Sequence, residues 1–190
     1  MNTPMLLKNF EDTPVRYPVW CERKHDGIRA VVLVDEAGRG TAWSRYGRPL
    51  PAAQGIADQV AATMGPGHVV DGELDAGSWG LTQSAIKRKD PAGLVYRPWD
   101  ALTLSEWTAG RSEVHLGQRR ARLDPLRGVP GVEVVDGLLV LNEAALGVCF
   151  ADAIERKFEG VVIKDLHAPY VCGVRSGMWQ KLKMGRREEW

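Results

Sequence analysis

Short apolar segments, interrupted by glycine and proline, run through most of the chain and constrain its fold more than any other feature. Apolar residues that alternate along the chain are typical of β-strands, whereas helices repeat near every third or fourth residue. Strands are predicted at residues 19–23, 28–34, 41–45, 69–74, 94–102, 161–164 and 178–184. Helices are predicted at residues 52–64, 82–89, 115–127 and 142–157. Because strands outnumber parallel crossover units, an antiparallel α+β fold is favoured over a doubly wound sheet.

Two polar turns in the first part of the chain predict β-hairpins. Asp26-Gly27 joins the first two predicted strands, and residues 35–40 join the second and third. Turn residues of this kind between two strand patterns indicate a chain that folds back on itself.

Length and composition fit one globular unit. A chain of 190 residues, 44% hydrophobic and 26% charged, can bury one substantial core. We therefore expect a single domain over residues 1–190, without internal repeats and without a linker that separates two domains. A monomer is the default expectation.

The sequence predicts a soluble protein of a reducing compartment. The apolar runs, such as residues 30–34 and 138–141, are far too short to cross a bilayer, and no basic segment leads into an apolar one at the N-terminus. Cys21, Cys149 and Cys172 have no metal-ligand spacing, and their odd number argues against a disulfide framework. We expect an intracellular, cytoplasmic location.

Charge alone does not indicate a nucleic-acid-binding protein, because the net charge is only +1. The basic residues nevertheless cluster along the chain. The clusters are Lys87, Arg88 and Lys89; Arg111, Arg119, Arg120, Arg122 and Arg127; and Arg186 and Arg187. They fit either phosphate contacts or the solvent face of an amphipathic helix.

The run from Glu22 to Arg29 carries the first sign of chemistry. In an extended strand Glu22, Lys24 and Asp26 project on one face, which sets a possible nucleophile between two acids. A lysine attacks phosphorus only as the free amine, so its pKa must lie below the ordinary value of about 10.4. Partial burial, nearby cations or a divalent metal would lower it.

The last predicted strand offers such cations. Lys181 and Lys183 share one face with Trp179 and could lower the pKa of Lys24 while neutralising an α-phosphate. Two lysines on one strand face are more often simply exposed to solvent, although Trp179 on the same face is an unusual neighbour for that arrangement.

Several motifs follow the lysine motif in a fixed order. After Lys24-His25-Asp26-Gly27-Ile28-Arg29 come Ser44-Arg45-Tyr46-Gly47, Asp71-Gly72-Glu73-Leu74, Glu159-Gly160-Val161-Val162-Ile163-Lys164 and Trp179-Gln180-Lys181-Leu182-Lys183. In this order they resemble the adenylation domain of ATP-dependent DNA ligases, over nearly the whole chain. A narrower similarity to small bacteriophage ligases lies in residues 104–107 and 170–179. The resemblance implies the nucleotidyltransferase fold, in which antiparallel sheets flanked by helices hold the nucleotide pocket between them.

The resemblance also implies roles for individual residues. Lys24 would form covalent lysyl-AMP, Glu22 would recognise the adenine edge, and Arg29 would approach the ribose or the nick. Arg45 would grip the 5′-phosphate of the nick and contact ATP. Glu73 would touch the ribose or a metal, and Glu159 would hold the divalent cation.

Three further residues complete the expected ATP site. Lys181 and Lys183 would contact the phosphates. The aromatic residue that stacks on adenine would be Trp99 or Tyr96, because a tryptophan departs from the usual phenylalanine or tyrosine. ATP and Mg²⁺, or Mn²⁺, are the implied cofactors, and magnesium prefers hard carboxylate ligands.

The implied function is sealing of 5′-phosphate/3′-hydroxyl nicks in duplex DNA, in replication, repair or recombination, in a protein of viral or bacterial origin. The alternatives are an RNA ligase, a capping-type nucleotidyltransferase, or a non-catalytic nick-binding module. Family members usually continue into an oligonucleotide-binding (OB-fold) barrel, whereas this sequence ends seven residues after Lys183. We expect no OB-fold domain, in either an excised domain or a minimal ligase.

Overall fold

The computed structural model describes residues 2–184, so Arg186 and Arg187 of the last basic cluster lie outside the described residues. The strands are β1 (Leu6–Asn9), β2 (Val19–Lys24), β3 (Ile28–Val34), β4 (Gly40–Ser44), β5 (His68–Asp75), β6 (Val95–Thr103), β7 (Arg111–Ser112), β8 (Gly137–Val140), β9 (Gly160–Asp165), β10 (Tyr170–Val171) and β11 (Arg175–Lys183). The helices are α1 (Gln54–Met64), α2 (Trp79–Arg88), α3 (Leu104–Thr108), α4 (Leu116–Ala121) and α5 (Glu143–Glu155). Short 3₁₀ turns lie at Phe10–Asp12, Pro51–Ala53 and Asp124–Leu126.

Two larger sheets form the centre of the fold. The five-stranded sheet has the order β1-β11-β9-β2-β8, and the four-stranded sheet has the order β4-β3-β5-β6. Strands β7 and β10 form a separate antiparallel pair. All pairings in the two larger sheets are antiparallel except that of β1 with β11 at one edge. The predicted antiparallel α+β class is confirmed, with this one parallel edge as the exception.

Strand alternation distributes the apolar side chains over three layers. On β3, Ala30 and Val32 pack outward against α1 and α2, while Val31 faces the five-stranded sheet. Between the sheets Val31 shares a cluster with Trp179 of β11 and with Tyr170. The far side of the five-stranded sheet is covered by α5. Successive residues point to opposite faces, so each central strand is buried on both sides.

The prediction of a hairpin at Asp26-Gly27 is wrong. Strand β2 belongs to the five-stranded sheet and β3 to the four-stranded sheet, so the chain crosses from one sheet to the other at this point. The carboxylate of Glu73 accepts the Gly27 N–H at 2.7 Å, and a Cβ on Gly27 would lie 2.1 Å from the Leu74 carbonyl oxygen. Only glycine therefore fits where the crossing chain touches β5. The hairpin between β3 and β4 is confirmed.

The predicted helix at residues 115–127 is shorter than expected. Helix α4 ends at Ala121, and a separate 3₁₀ turn begins at Asp124 with Pro125 in its first turn. Proline is tolerated at a helix start and not in a helix interior, which explains the break. In contrast, α5 matches the predicted helix closely and begins at Glu143, after Asn142, whose side chain caps it.

Candidate active site

Three neighbouring strands set their polar side chains on one face of the five-stranded sheet. In the register of β2, β9 and β11, Lys24 lies opposite Gly160 and Gly160 opposite Lys183. Two residues along, Glu22 lies opposite Val162 and Val162 opposite Lys181. A third row joins Trp20, Lys164 and Trp179. Because residues paired across strands point to the same face, these rows form one surface directed at the four-stranded sheet.

A cavity of about 60 Å³ lies between this surface and the four-stranded sheet. Its lining consists of Leu7, Glu22, Arg23, Lys24, His25, Arg29, Glu73, Trp99, Val162, Lys164 and Trp179. Small-molecule pockets usually measure about 300 to 1,000 Å³. A nucleotide therefore enters only if the side chains that line the cavity move apart.

Lys24 is the last residue of β2, and its side chain lines this cavity. Its side chain is 17% exposed, and its Nζ contacts Glu159 and lies 3.4 Å from the His25 carbonyl oxygen. Burial lowers the pKa of Lys24, and the carboxylates of Glu73 and Asp26 oppose that effect. Burial is thus the principal cause of the lowering, ahead of any nearby charge.

Glu159 links Lys24 to the last strand. One carboxylate oxygen contacts Lys24 Nζ and the other contacts Lys183 Nζ. The backbone N–H of Glu159 also donates to the Lys24 carbonyl at 3.1 Å. The following Gly160 has φ +149°, and a Cβ there would lie 2.0 Å from the Leu182 carbonyl oxygen. Glycine at this position lets β9 start close enough to β2 and β11 for Glu159 to touch both lysines.

Glu159 and Glu73 are the two acids expected to bind a metal, and neither belongs to a cluster of metal ligands among the described residues. Within residues 2–184 no group of three or more His, Cys, Asp or Glu side chains converges on a common point. Burial raises the pKa of Glu73, and Lys24 and the Gly27 N–H oppose the rise. One or two carboxylates together with substrate phosphates are the usual ligands of Mg²⁺. The carboxylates of Glu159 and Glu73 are oxygen ligands of the kind that Mg²⁺ prefers, and in this structure both oxygens of Glu159 contact lysines.

Glu22 is buried and held on both carboxylate oxygens. Its Oε1 accepts from Arg120 Nη1 at 2.5 Å and from Trp20 Nε1 at 2.9 Å. Its Oε2 lies 2.7 Å from the Nζ of Lys164. This acid lines the cavity with an orientation fixed by cations from α4 and β9.

Lys164 was not among the predicted site residues, yet it lines the cavity. It is 1% exposed, and its Nζ lies 4.4 Å from the Trp179 ring and 5.8 Å from the Trp99 ring. Burial lowers the pKa of Lys164, and Glu22 raises it. Lys164 could have been predicted from its even spacing from Gly160 along β9, since residues two and four apart on a strand share a face.

Of the two aromatic candidates for base stacking, only Trp99 lines the cavity. Its ring lies 4.8 Å from the guanidinium of Arg29. Tyr96 is fully buried, and its hydroxyl donates to the Val70 carbonyl at 2.8 Å within the outer apolar cluster. Tyr96 therefore belongs to the core, whereas Trp99 has the cavity position that the stacking prediction requires.

Arg29 reaches the cavity wall but is tied to its own sheet. It donates to both oxygens of Asp71 at 2.6 and 2.5 Å and to the Met5 carbonyl at 3.0 Å. The Tyr170 hydroxyl donates to the same Asp71 at 2.7 Å.

A family model described as an ATP dependent DNA ligase domain matches residues 4–183. The chain belongs to this family. The matched segment contains all of the candidate residues described above.

Curated relatives of this ligase domain are similar over most of its length. A probable DNA ligase of Anaeromyxobacter dehalogenans is 37% identical over 175 residues, which is 85% of this chain and 34% of the relative. One of Kineococcus radiotolerans is 31% identical over 179 residues, or 87% of this chain and 34% of the relative. The chain thus spans about a third of the length of these relatives.

Solved ligase structures share the fold of this domain. The structure named Pmar-Lig_Pre superposes with a TM-score of 0.86 at 19% identity, over 95% of this chain and 46% of that chain. The ATP-dependent DNA ligase from bacteriophage T7 in complex with ATP gives a TM-score of 0.73 at 16% identity, over 95% and 68% of the two chains. At these identities the likeness supports the fold, including the expected nucleotidyltransferase architecture.

Four predicted site residues lie outside the cavity lining, namely Arg45, Glu159, Lys181 and Lys183. Glu159 and Lys183 nevertheless join Lys24 through the contacts described above. Arg45 follows β4 and extends over the ring of the exposed Tyr46, with 5.4 Å between guanidinium carbon and ring centre. Lys181 is half-buried on β11, opposite Val162.

Within residues 2–184 no helix is long and apolar enough to cross a membrane.

Proposed function

We propose that this domain is the adenylation domain of an ATP-dependent DNA ligase and that Lys24 becomes covalently linked to AMP. The observation that carries the proposal is the position of Lys24: a partly buried lysine with a lowered pKa, beside a carboxylate and on a surface rich in further lysines. A buried amine gives up its proton more readily than an exposed one, as nucleophilic attack requires.

The adenylation step follows from the groups around Lys24. Nζ, as the free amine, attacks the α-phosphorus of ATP, so that a nitrogen–phosphorus bond forms and the bond to the β-phosphate oxygen breaks. Pyrophosphate leaves with the electron pair of that bond. The proton that the attacking nitrogen loses goes to Glu159, whose carboxylate already contacts it. Lys183 and Lys164 offset the negative charge that develops on the phosphate.

Recognition of the nucleotide is assigned to the two walls of the cavity. Glu22 accepts a hydrogen bond from the base, and Trp99 supplies an aromatic face for stacking. Glu73 from the four-stranded sheet reaches the ribose or a metal. A bound Mg²⁺ or Mn²⁺, held by Glu159 and Glu73 with the phosphates, would neutralise phosphate charge.

We further propose that AMP passes from Lys24 to the 5′-phosphate of a nick, and that the 3′-hydroxyl then displaces AMP and joins the strand. Nicked duplex DNA is the proposed substrate, and a monomer is the proposed state. The relatives named as DNA ligases support this assignment. Arg45 is the proposed contact to the 5′-phosphate, which suits its half-buried position outside the cavity lining. Packing of all three layers through shared apolar clusters supports one adenylation unit.

The test begins with intact-mass measurement after incubation with ATP and magnesium. We expect an AMP adduct on the wild-type domain and none on Lys24→Ala. GTP in place of ATP should give little adduct, whereas a preference for GTP would favour a capping-type enzyme.

Strand joining is tested next with ordinary and pre-adenylated nicks. Sealing of nicked DNA by the wild type, weakened in Arg45→Ala without loss of the AMP adduct, supports the ligase assignment. Preference for nicked RNA would favour an RNA ligase. Absence of both adduct and sealing, with retained binding to nicked DNA, would indicate a binding module.

A further inference from the structure

Arg120 connects three segments of the chain at the edge of the cavity. Its Nη1 donates to Glu22 Oε1 at 2.5 Å and to the Trp99 carbonyl at 3.0 Å. Its Nη2 donates to the Val135 carbonyl at 2.6 Å. The side chain is 11% exposed, and the guanidinium lies 4.8 Å from the ring of Trp20. One planar group thus holds β2, β6 and the segment before β8 in a fixed relation.

Two of these contacts involve the residues assigned to base recognition. Arg120 orients the carboxylate of Glu22 and fixes the backbone of Trp99. Lys164 approaches the second carboxylate oxygen of Glu22 from the opposite strand. Without Arg120, Glu22 Oε1 would lose its charged partner and keep only the Trp20 Nε1 donor, while Oε2 would still lie beside Lys164.

The orientation of Glu22 matters for the choice of base. A carboxylate offers hydrogen-bond acceptors. Adenine carries an amino donor at the position where guanine carries a carbonyl acceptor. A carboxylate in a fixed position therefore attracts adenine and repels guanine, whereas a carboxylate that rotates away loses this discrimination.

We propose that Arg120 is a positioning residue that sets the preference for adenine by holding Glu22 and the backbone of Trp99 in one geometry. This inference rests on the proposed function, because it concerns the nucleotide site of that same reaction. Arg120 acts through Glu22 and Trp99 and does not itself touch the reacting phosphate.

The chain offers a matched control on the same stretch. Arg122 donates to the Ala101 carbonyl at 3.2 Å and to Glu106 at 2.6 Å, so it too ties α4 to neighbouring segments. Its contacts lie outside the cavity lining. Arg122→Met therefore removes a similar structural arginine without touching Glu22 or Trp99.

The experiment compares wild type, Arg120→Met, Arg120→Lys and Arg122→Met. AMP and GMP adducts are followed by intact mass over a range of ATP and GTP concentrations, and binding of each nucleotide is measured by calorimetry. In Arg120→Met we expect the ATP-to-GTP preference to fall about tenfold, mainly through a higher KM for ATP. The preference of Arg120→Lys should lie between those of the wild type and Arg120→Met, since a compact ammonium cannot reproduce the planar fork by which the guanidinium reaches three separate acceptors. Arg122→Met should keep the wild-type preference.

A double-mutant cycle with Glu22→Gln separates positioning from general stability. If Arg120 acts through Glu22, adding Arg120→Met to Glu22→Gln changes the preference little further. Additive losses, or an unchanged preference in a folded Arg120→Met, would overturn the inference. If Arg120→Met does not fold, the same comparison is made with Arg120→Lys.

The results distinguish failure of the adenylation proposal from failure of the proposal for Arg120. A wild-type domain that binds ATP but forms no adduct contradicts the adenylation proposal, while the binding preference of the variants still decides the role of Arg120. A wild-type domain that binds ATP no better than GTP overturns the inference even if an adduct forms, and one that binds neither overturns both.

Discussion

The five-stranded and four-stranded sheets face each other across one cavity, and both contribute charged side chains to it. On the five-stranded sheet Lys24 and Lys183 meet at a single carboxylate, Glu159, so two cations share one anion. On the four-stranded sheet Arg29 and Asp71 form a two-bond pair that Tyr170 completes. The lysines of the first surface suit it to phosphate, whereas the hydrogen-bonded pair on the second ties β3 to β5.

The largest expected effect is a loss of activity, without a loss of stability, when the lysine of the five-stranded sheet is replaced. Lys24→Ala should abolish the AMP adduct and leave the thermal midpoint nearly unchanged, because Glu159 keeps Lys183 as a partner. Intact mass and a melting curve of the same sample give both results. An adduct that persists in Lys24→Ala would rule out this nucleophile.

On the four-stranded sheet, in contrast, the expected effect of a substitution is a loss of stability. Asp71→Asn removes the negative charge opposite Arg29, whose side chain is 13% exposed, and should lower the free energy of unfolding by about 3 kcal/mol. Urea unfolding measures this loss. Glu113→Gln, in an exposed pair with Arg111, serves as the control and should not change the midpoint measurably. Equal effects of the two substitutions would contradict the contrast between the sheets.

His25, where the chain crosses between the sheets, should make stability depend on pH. Burial, with Arg97 second, lowers its pKa from 6.5 to about 4, and Asp75 opposes the shift. Between these values the unfolded chain binds a proton that the folded chain does not, so stability falls as the pH drops from about 6.5 to about 4. His25→Asn should remove about 3 kcal/mol of this pH dependence. Unfolding curves at several pH values measure it, and an unchanged slope in the variant would exclude His25 as the cause.

The smallest expected effect is the change in the pKa of Lys24 that follows removal of the Glu73 charge on the four-stranded sheet. In the wild type the rate of adduct formation should rise with pH and level off below the ordinary lysine pKa of about 10.4. Glu73 raises the pKa of Lys24, so Glu73→Gln should move this inflection to lower pH while the amide oxygen can still accept from Gly27. Single-turnover rates across pH measure the shift. A move toward higher pH would mean that Glu73 does not act through its charge.

Elements with strong periodicity could be predicted from the sequence, and weak edge elements could not. The prediction for β3 matches its observed bounds, because six apolar residues, most of them branched, lie with Arg29 between clear turns. The four-residue strands β1 and β8 were missed, as were α3 and the two-residue strands β7 and β10. Such short strands depend on partners far along the chain, which local pattern does not reveal.

The candidate site could be predicted where a motif names it and not where tertiary packing builds it. Lys24 and Glu22 were found from the lysine motif. Arg120 was grouped with basic residues predicted either to contact phosphate or to lie on the solvent face of a helix, because its inward direction depends on a six-residue helix placed against β6 and β2. The crossing at Gly27 was read as a hairpin, since the turn residues for both are the same and only the contact with β5 distinguishes them.

The rows of paired residues across β2, β9 and β11 also limit how this domain can change in length. The residues of these rows lie an even number of positions apart on the same strand, as Glu22 does from Lys24 and Lys181 from Lys183. Insertion of one residue within β9 would turn Lys164 toward α5 and bury its charge in an apolar layer. Insertions and deletions in this lineage should therefore collect in connecting segments such as residues 127–136 and be absent between Gly160 and Lys164.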